Sequence, residues 1–346
     1  MTRSRLTPLL LLIAAIAAAG TPGCRRAQGP EVVVYTAVDQ VVAEPILQQF
    51  ESQSGLRVRA VYDAEAAKTS GLVARLLAES GSPRCDVFWN NEPVQTLLLA
   101  ERNVLDRYEP PAAAGIPAEL KDPGGRWTAV GLRARVIVYN TKHVAPQEVP
   151  RSIFDLALPR WRGKVAIADP QFGTTRTHVA ALFAVAGPER TRQFLEDLLA
   201  NQVRIVDGNA RVKNLVARAH PDASPVYVGL TDTDDVLSGQ AEGEPVDMVY
   251  PDQDTIGTLV IPSTVSLIRG APHPVQAQPL IDFLTGPEVG SQLATGQAGF
   301  MSVRGEGPAG KTIERLGRPR AMKFSSASLL EQLDPSSQWT KEHFHR

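Results

Sequence analysis

From Val32 onward, short β-branched runs alternate with amphipathic segments, and that alternation limits the chain to an α/β architecture. Val32-Val33-Val34-Tyr35 reads as a strand. Residues 42–50 read as a helix, with Ile46, Leu47 and Phe50 at helical spacing and Gly55 just past the end. The pattern repeats with strands over 58–62 and 87–89, and with helices marked by Leu72, Leu76 and Leu77 and by Leu97, Leu98 and Leu99. Further strands are expected over 135–139, 164–168, 203–206, 226–230, 246–250 and 258–268. Helices are expected over 177–185, 190–199, 210–219, 279–284 and 288–293. Such an order predicts mostly parallel sheet covered on both faces. The tail after Gly305 reads as polar and irregular.

At roughly 150 residues per domain, 346 residues suggest two domains with cores large enough to need no staples. A net charge of −1 argues against a nucleic-acid binder, which needs a basic face. Two cysteines exclude a disulfide framework and a Cys-rich metal site. The first of them closes an export leader. Arg3 and Arg5 precede an apolar run from Leu9 to Ala19, too short for a mature transmembrane helix of about 20 residues. Thr21-Pro22-Gly23-Cys24 resembles a bacterial lipobox, with Thr where Leu is usual, so Cys24 is expected to carry a lipid anchor. Loss of Arg3 and Arg5 moves the net charge from −1 to −3. Cys85, within an apolar strand, reads as a small core hydrophobe.

Several motifs fail on context. Residues 305–312 fit GxxxxGK[ST], but a phosphate loop follows a strand of a large sheet and opens a long helix; here Gly317 and Pro319 follow at once. GxSxG and HExxH are missing, so no nucleophile–base pair can be assembled. Asp232-Thr233-Asp234-Asp235 lacks the Gly and distal Glu of a calcium loop, and Asp252-Gln253-Asp254 has Ser263 where that Glu should stand. The first cluster reads equally as helix-cap and turn residues, and the second reads more as such. Position favours a functional role for the first, because ligands of open α/β sheets bind beyond the carboxyl ends of strands. Asp39 follows the first strand, Asp63 and Glu65 the second, and Asn90, Asn91 and Glu92 the third. Phe172-Gly173-Thr174-Thr175-Arg176 follows another strand and opens a helix, where free N–H groups can meet an anion.

Five segments in order resemble the periplasmic solute-binding proteins of ABC importers, in the ferric-iron branch. They are residues 33–40 (VVYTAVDQ), 85–92 (CDVFWNNE), 133–141 (RARVIVYNT), 161–170 (WRGKVAIADP) and 229–235 (GLTDTDD). The resemblance implies two α/β lobes of the type II periplasmic binding fold, each a mixed sheet flanked by helices, around a ligand cleft. The lobes would be 32–134 with 256–304, and 135–255 with 305–346, after a leader of 1–23 and a linker of 24–31. It also implies hinge closure and docking on a permease with its ATPase, with no catalytic chemistry and no catalytic cofactor. The chain is then an exported, envelope-held monomer without nucleic-acid partners.

Iron-binding members of the family use a first-loop donor, a Glu after the third strand and a pair of adjacent Tyr, with a bound anion at a helix N-terminus. By resemblance, Asp39 stands near the first donor, Glu92 at the Glu, and Thr174 in the anion loop with Asn209 nearby. Thr233 and Asp234 stand in place of the Tyr pair, and no two Tyr are adjacent anywhere. Either Fe(III) is held by carboxylates such as Asp39, Glu92 and Asp234, or the ligand is another cation, or a phosphonate or other small organic anion. An enzyme on the same fold is a remoter alternative. The expected ligand-binding set is Tyr35, Asp39, Glu65, Asn91, Glu92, Gly173, Thr174, Thr175, Asn209, Thr231, Asp232 and Thr233, with Tyr250 a second possible phenolate.

Overall fold

The structure, a computed structural model, describes residues 30–63, 70–296, 299–305 and 311–344. The leader, Cys24 and Glu65 lie outside the described residues. Ten strands and eleven α-helices are found among those described.

The first sheet is built around β1 (Glu31–Thr36), whose Val32, Val33 and Val34 are buried on both faces. It pairs in parallel with β2 (Arg57–Tyr62) and β3 (Val87–Asn90). The intervening helices, α1 (Gln40–Ser54) and α2 (Ser70–Ala78), make the crossovers that parallel pairing requires, and α3 (Pro93–Glu101) follows β3. Gly55 ends α1 in the left-handed conformation at φ 71°, which glycine adopts without a Cβ penalty. A two-residue strand, β4 (Leu105–Asp106), follows.

The long strand β5 (Thr128–Asn140) is buried along its whole length and belongs to two sheets. Its first half pairs antiparallel with β10 (Val260–Ile268), which also joins β3 and β4. From Arg135 on it pairs with β8 (Val228–Asp232) and β9 (Val246–Val249). Parallel strands β6 (Val165–Ala168) and β7 (Arg204–Val206) complete the second sheet beyond β8. Helices α4 (Gly173–Val185), α5 (Pro188–Ala200), α6 (Asn209–Ala217) and α7 (Thr233–Ala241) cover it. The chain thus crosses between sheets within β5 and again between β9 and β10. Helices α8 (Pro274–Thr285) and α9 (Pro287–Thr295) return to the first sheet.

Three readings of the sequence change. The sheets are mixed, because β5 and β10 run against their neighbours. The strand expected over 135–139 begins seven residues earlier, at Thr128. The tail is not irregular: it holds α10 (Lys311–Leu316) and the 19-residue α11 (Ser326–Phe344). The buried stripe of α11 is Leu329, Leu333, Ser336 and Thr340, so half of it is polar and its hydrophobic period is weak. None of the helices among the described residues is long and apolar enough to cross a membrane.

The candidate ligand cleft

Arg133 and Arg135 stand two residues apart on β5, on one face of the strand, where it passes from one sheet to the other. Both are buried. A buried guanidinium survives only with partners on its donors. Arg135 faces Asp232 in the β5–β8 register. It donates to Asp232 Oδ1 at 2.7 Å, Asn209 Oδ1 at 3.0 Å, Thr174 Oγ1 at 3.1 Å and Thr175 Oγ1 at 3.3 Å. The other oxygen of Asp232 accepts from Thr174 Oγ1 at 2.8 Å and Asn209 Nδ2 at 3.0 Å. Arg133 donates to Asp234 Oδ2 at 2.9 Å, to Asp232 Oδ2 at 3.4 Å and to the Asn91 carbonyl at 2.6 Å.

The acidic run opens α7. Asp232 is its N-cap and forms a capping box with Asp235. It therefore takes the capping role the sequence left open, and it also pairs with the buried arginines. The carboxylates of Asp232, Asp234 and Asp235 place ligand atoms within 4.8 Å of one another. Burial and the neighbouring Asp234 and Asp232 push the Asp235 carboxyl up to about 7, against the hydrogen bond from Thr231. Burial also raises Asp234, opposed by Arg133 and aided by the charges of Asp232 and Asp39. Burial works against the Arg133 charge, but Asp234 and Asp232 outweigh it and the guanidinium is held above its ordinary range. Four buried polar atoms here have no hydrogen-bond partner: Arg133 Nε, Arg135 Nε, Asn91 Oδ1 and Asp234 Oδ1.

The expected residues divide. Thr174, Thr175, Asn209, Asp232, Asp234 and the Asn91 backbone converge on the two arginines. Gly173 begins α4 at φ 53°, and α4 has no side-chain N-cap. The carboxylate that Thr174 and Asn209 bind is the chain's own Asp232, in the place where the resemblance put an external anion. Thr231 donates to Asp235 Oδ2 at 2.7 Å, and Thr233 accepts the Ala134 N–H at 3.2 Å, so both fix the start of α7. Asp39 sits at the N-cap position of α1, and its charge reaches Asp234.

Glu92 is committed elsewhere. Its oxygens accept from Val94 N at 3.0 Å, Gln95 N at 3.1 Å and Thr177 Oγ1 at 2.5 Å, which caps α3 and ties it to α4. Tyr35 is also turned away: its hydroxyl donates to Glu79 at 3.0 Å and Arg75 lies over its ring. Burial holds that phenol up at about 12. Tyr250 is raised to about 12 by burial, and its hydroxyl donates to the Met301 sulfur at 3.6 Å. Both phenols are therefore neutral at ordinary pH.

Sequence reasoning passed over Arg133 and Arg135 as site residues. The available signal was two arginines alternating with Ala134, Val136 and Val138 in a strand with no exposed face, since such charges are buried only when paired. It also passed over His178, buried on α4 and held neutral by desolvation and by the charge of Arg135.

Residues 92–312 match the family described as bacterial extracellular solute-binding protein. The chain belongs to that family. Its two-lobed fold is shared with solved periplasmic binding proteins. The apo ferric ion-binding protein A of Pasteurella haemolytica superposes with a TM-score of 0.79 at 20% identity, over 90% of this chain and 97% of that one. The periplasmic binding protein AfuA of Actinobacillus pleuropneumoniae, solved with exogenous fructose-6-phosphate bound, gives 0.77 at 19%, over 92% and 99%. In sequence, iron uptake protein A1 of Synechocystis sp. is 25% identical over 324 residues, covering 92% of this chain and 86% of that relative. The Fe(3+)-binding periplasmic protein of Serratia marcescens is 24% identical over 296 residues, 85% of each.

Proposed function

We propose that this solute-binding protein captures ferric iron together with a small anion in the cleft between its two sheets and hands it to a membrane permease driven by an ATPase. The carrying observation is the Asp232, Asp234 and Asp235 cluster, with ligand atoms within 4.8 Å and with Asp234 Oδ1 unpartnered. Hard cations take such oxygens, and Asn91 Oδ1 adds another unpartnered one. Arg133 and Arg135 offset two of the three negative charges, so a bare trivalent cation meets little net attraction. A counter-anion on the unpartnered Arg133 Nε supplies the balance. The names of the relatives, iron uptake and Fe(3+)-binding, favour iron over other small cations.

In this reading the lobes are 32–134 with 256–304 and 135–255 with 305–346. The mature monomer is exported, held at the envelope through Cys24 and does no catalysis. A second reading, a phosphorylated or phosphonate anion, is favoured by the buried arginine pair beside the uncapped start of α4. The test is thermal unfolding and calorimetric titration of the mature chain with ferric citrate, citrate alone, a phosphonate panel and fructose-6-phosphate. A ligand at 100 times its Kd adds about 2.7 kcal/mol of stability. Ferric citrate is expected to stabilise, and Asp234→Ala to weaken binding at least tenfold. Stabilisation by the phosphorylated compounds and not by ferric citrate replaces iron with the anion reading.

A further inference from the structure

We propose that the C-terminal segment from Arg318 to Phe344 is a brace on the interlobe hinge, and that it sets how readily the cleft closes. The inference rests on the reading of the cleft as a ligand trap and adds to it the element that controls the trap. The second crossing, residues 250–259, joins β9 of one sheet to β10 of the other. Hydrogen bonds and a close backbone approach fasten the tail to it. Thr258 N donates to the Arg320 carbonyl at 2.9 Å, and Met322 N donates back to Thr258 at 2.8 Å, so the tail lies beside the crossing as a short parallel bridge. The Arg320 side chain donates to the carbonyls of Gln253 at 2.5 Å, Asp252 at 3.1 Å and Thr255, and Gln253 Oε1 accepts the Arg320 N–H at 2.7 Å. Gly257, at φ 85°, lets the two backbones touch: a Cβ there would stand 2.8 Å from the Arg320 carbonyl oxygen.

Beyond the hinge, α11 lies against helices of both lobes. Leu329 and Leu333 share a core with Val94 of α3 and with Val179, Leu182 and Phe183 of α4. Gln171 Nε2 donates to the Ser337 carbonyl at 2.9 Å and Arg176 Nε to Ser337 Oγ at 2.7 Å. Those two residues flank Thr174 and Thr175, which line the cleft. One segment therefore holds the hinge backbone, the loop that meets the ligand and the helix after Asn91. A rotation of one sheet against the other has to strain or release these bonds together.

The experiment compares wild type, Arg320→Ala and Gly257→Ala in the mature full chain. Lys213→Met serves as the control, since it breaks a buried ion pair with Glu244 inside the second lobe and away from the hinge. Circular dichroism establishes folding. Small-angle scattering gives the ligand-free radius of gyration, and titration gives the affinity for ferric citrate. Arg320→Ala is expected to fold, to expand relative to wild type without ligand, and to bind about tenfold more weakly as the closable fraction falls. Gly257→Ala, the harsher change, is expected to show the same expansion. A wild-type radius and affinity in Arg320→Ala overturns the brace, as does an equal expansion in Lys213→Met. If wild type takes up no ferric citrate, the cargo assignment fails while the radius comparison still decides the brace.

Discussion

Replacing Arg135 by Met measures what the buried pair contributes. The substitution fills similar space but removes the donor that Asp232 Oδ1 receives at 2.7 Å, with both residues almost fully out of water. It also strands acceptors on Asn209, Thr174 and Thr175. Removing one partner of a buried ion pair costs about 3–5 kcal/mol, because an uncompensated charge stays behind. Asp232 keeps Thr174, Asn209 and the more distant Arg133 on its other oxygen, which places the expected loss toward about 3 kcal/mol. Urea unfolding followed by tryptophan fluorescence, with the double variant Arg135→Met plus Asp232→Asn, closes the cycle. The double variant should lose less than the two single losses added, by a coupling of about 1–3 kcal/mol. A loss below about 1 kcal/mol for Arg135→Met, or strict additivity, refutes the view that these two charges exist for each other.

Three other expectations concern separate residues. Asp235, raised by burial to about 7 from the ordinary 3.8, holds its proton longer in the folded state, so its contribution to stability is complete below about pH 4 and is lost as pH rises through about 7. Asp235→Asn should flatten the fall in urea midpoint between pH 5 and pH 8, and an unchanged slope would assign the titration to another group. A Cβ at Gly229 would lie 2.5 Å from Val212 and 2.9 Å from the Ala166 carbonyl, so Gly229→Ala should lose about 1–3 kcal/mol in chemical denaturation, and a neutral result would show that α6 shifts freely. Tyr35→Phe and Tyr250→Phe should each leave ferric citrate affinity within a factor of about three, since neither phenol faces the carboxylates; a loss of the visible iron–phenolate absorption in either would place that ring in the site.

The order of elements was legible because valine-rich runs and leucine spacings carry their periods plainly. The ends of the strands were legible too, and with them the positions of Thr174 and Asp232, whereas Asn209 came only from the resemblance. What the linear pattern could not carry was direction. Glu92 and Asn91 are neighbours after the same strand, yet one carboxylate turns in to cap α3 while the other residue offers its carbonyl to Arg133. Tyr35 alternates with buried valines, and its long ring runs back to Glu79 instead of out of the strand end. Helix α7 was hidden because the acidic residues that cap it were weighed as ligands. Helix α11 was hidden because serine and threonine fill half of its buried stripe, their hydroxyls satisfied by carbonyls of the preceding turn.

Strand β5 is one unbroken stretch that changes sheets between Ala134 and Arg135, and it carries both arginines there. Neighbouring same-face residues on a strand are separated by about 7 Å. In any rotation of one sheet against the other, displacement grows with distance from the axis. In the proposed closure the rims would travel far, and the two guanidiniums with the carboxylates they hold, placed at the crossing, would scarcely travel at all. On that reading the charged cluster is the stationary part of the trap, assembled before a solute arrives.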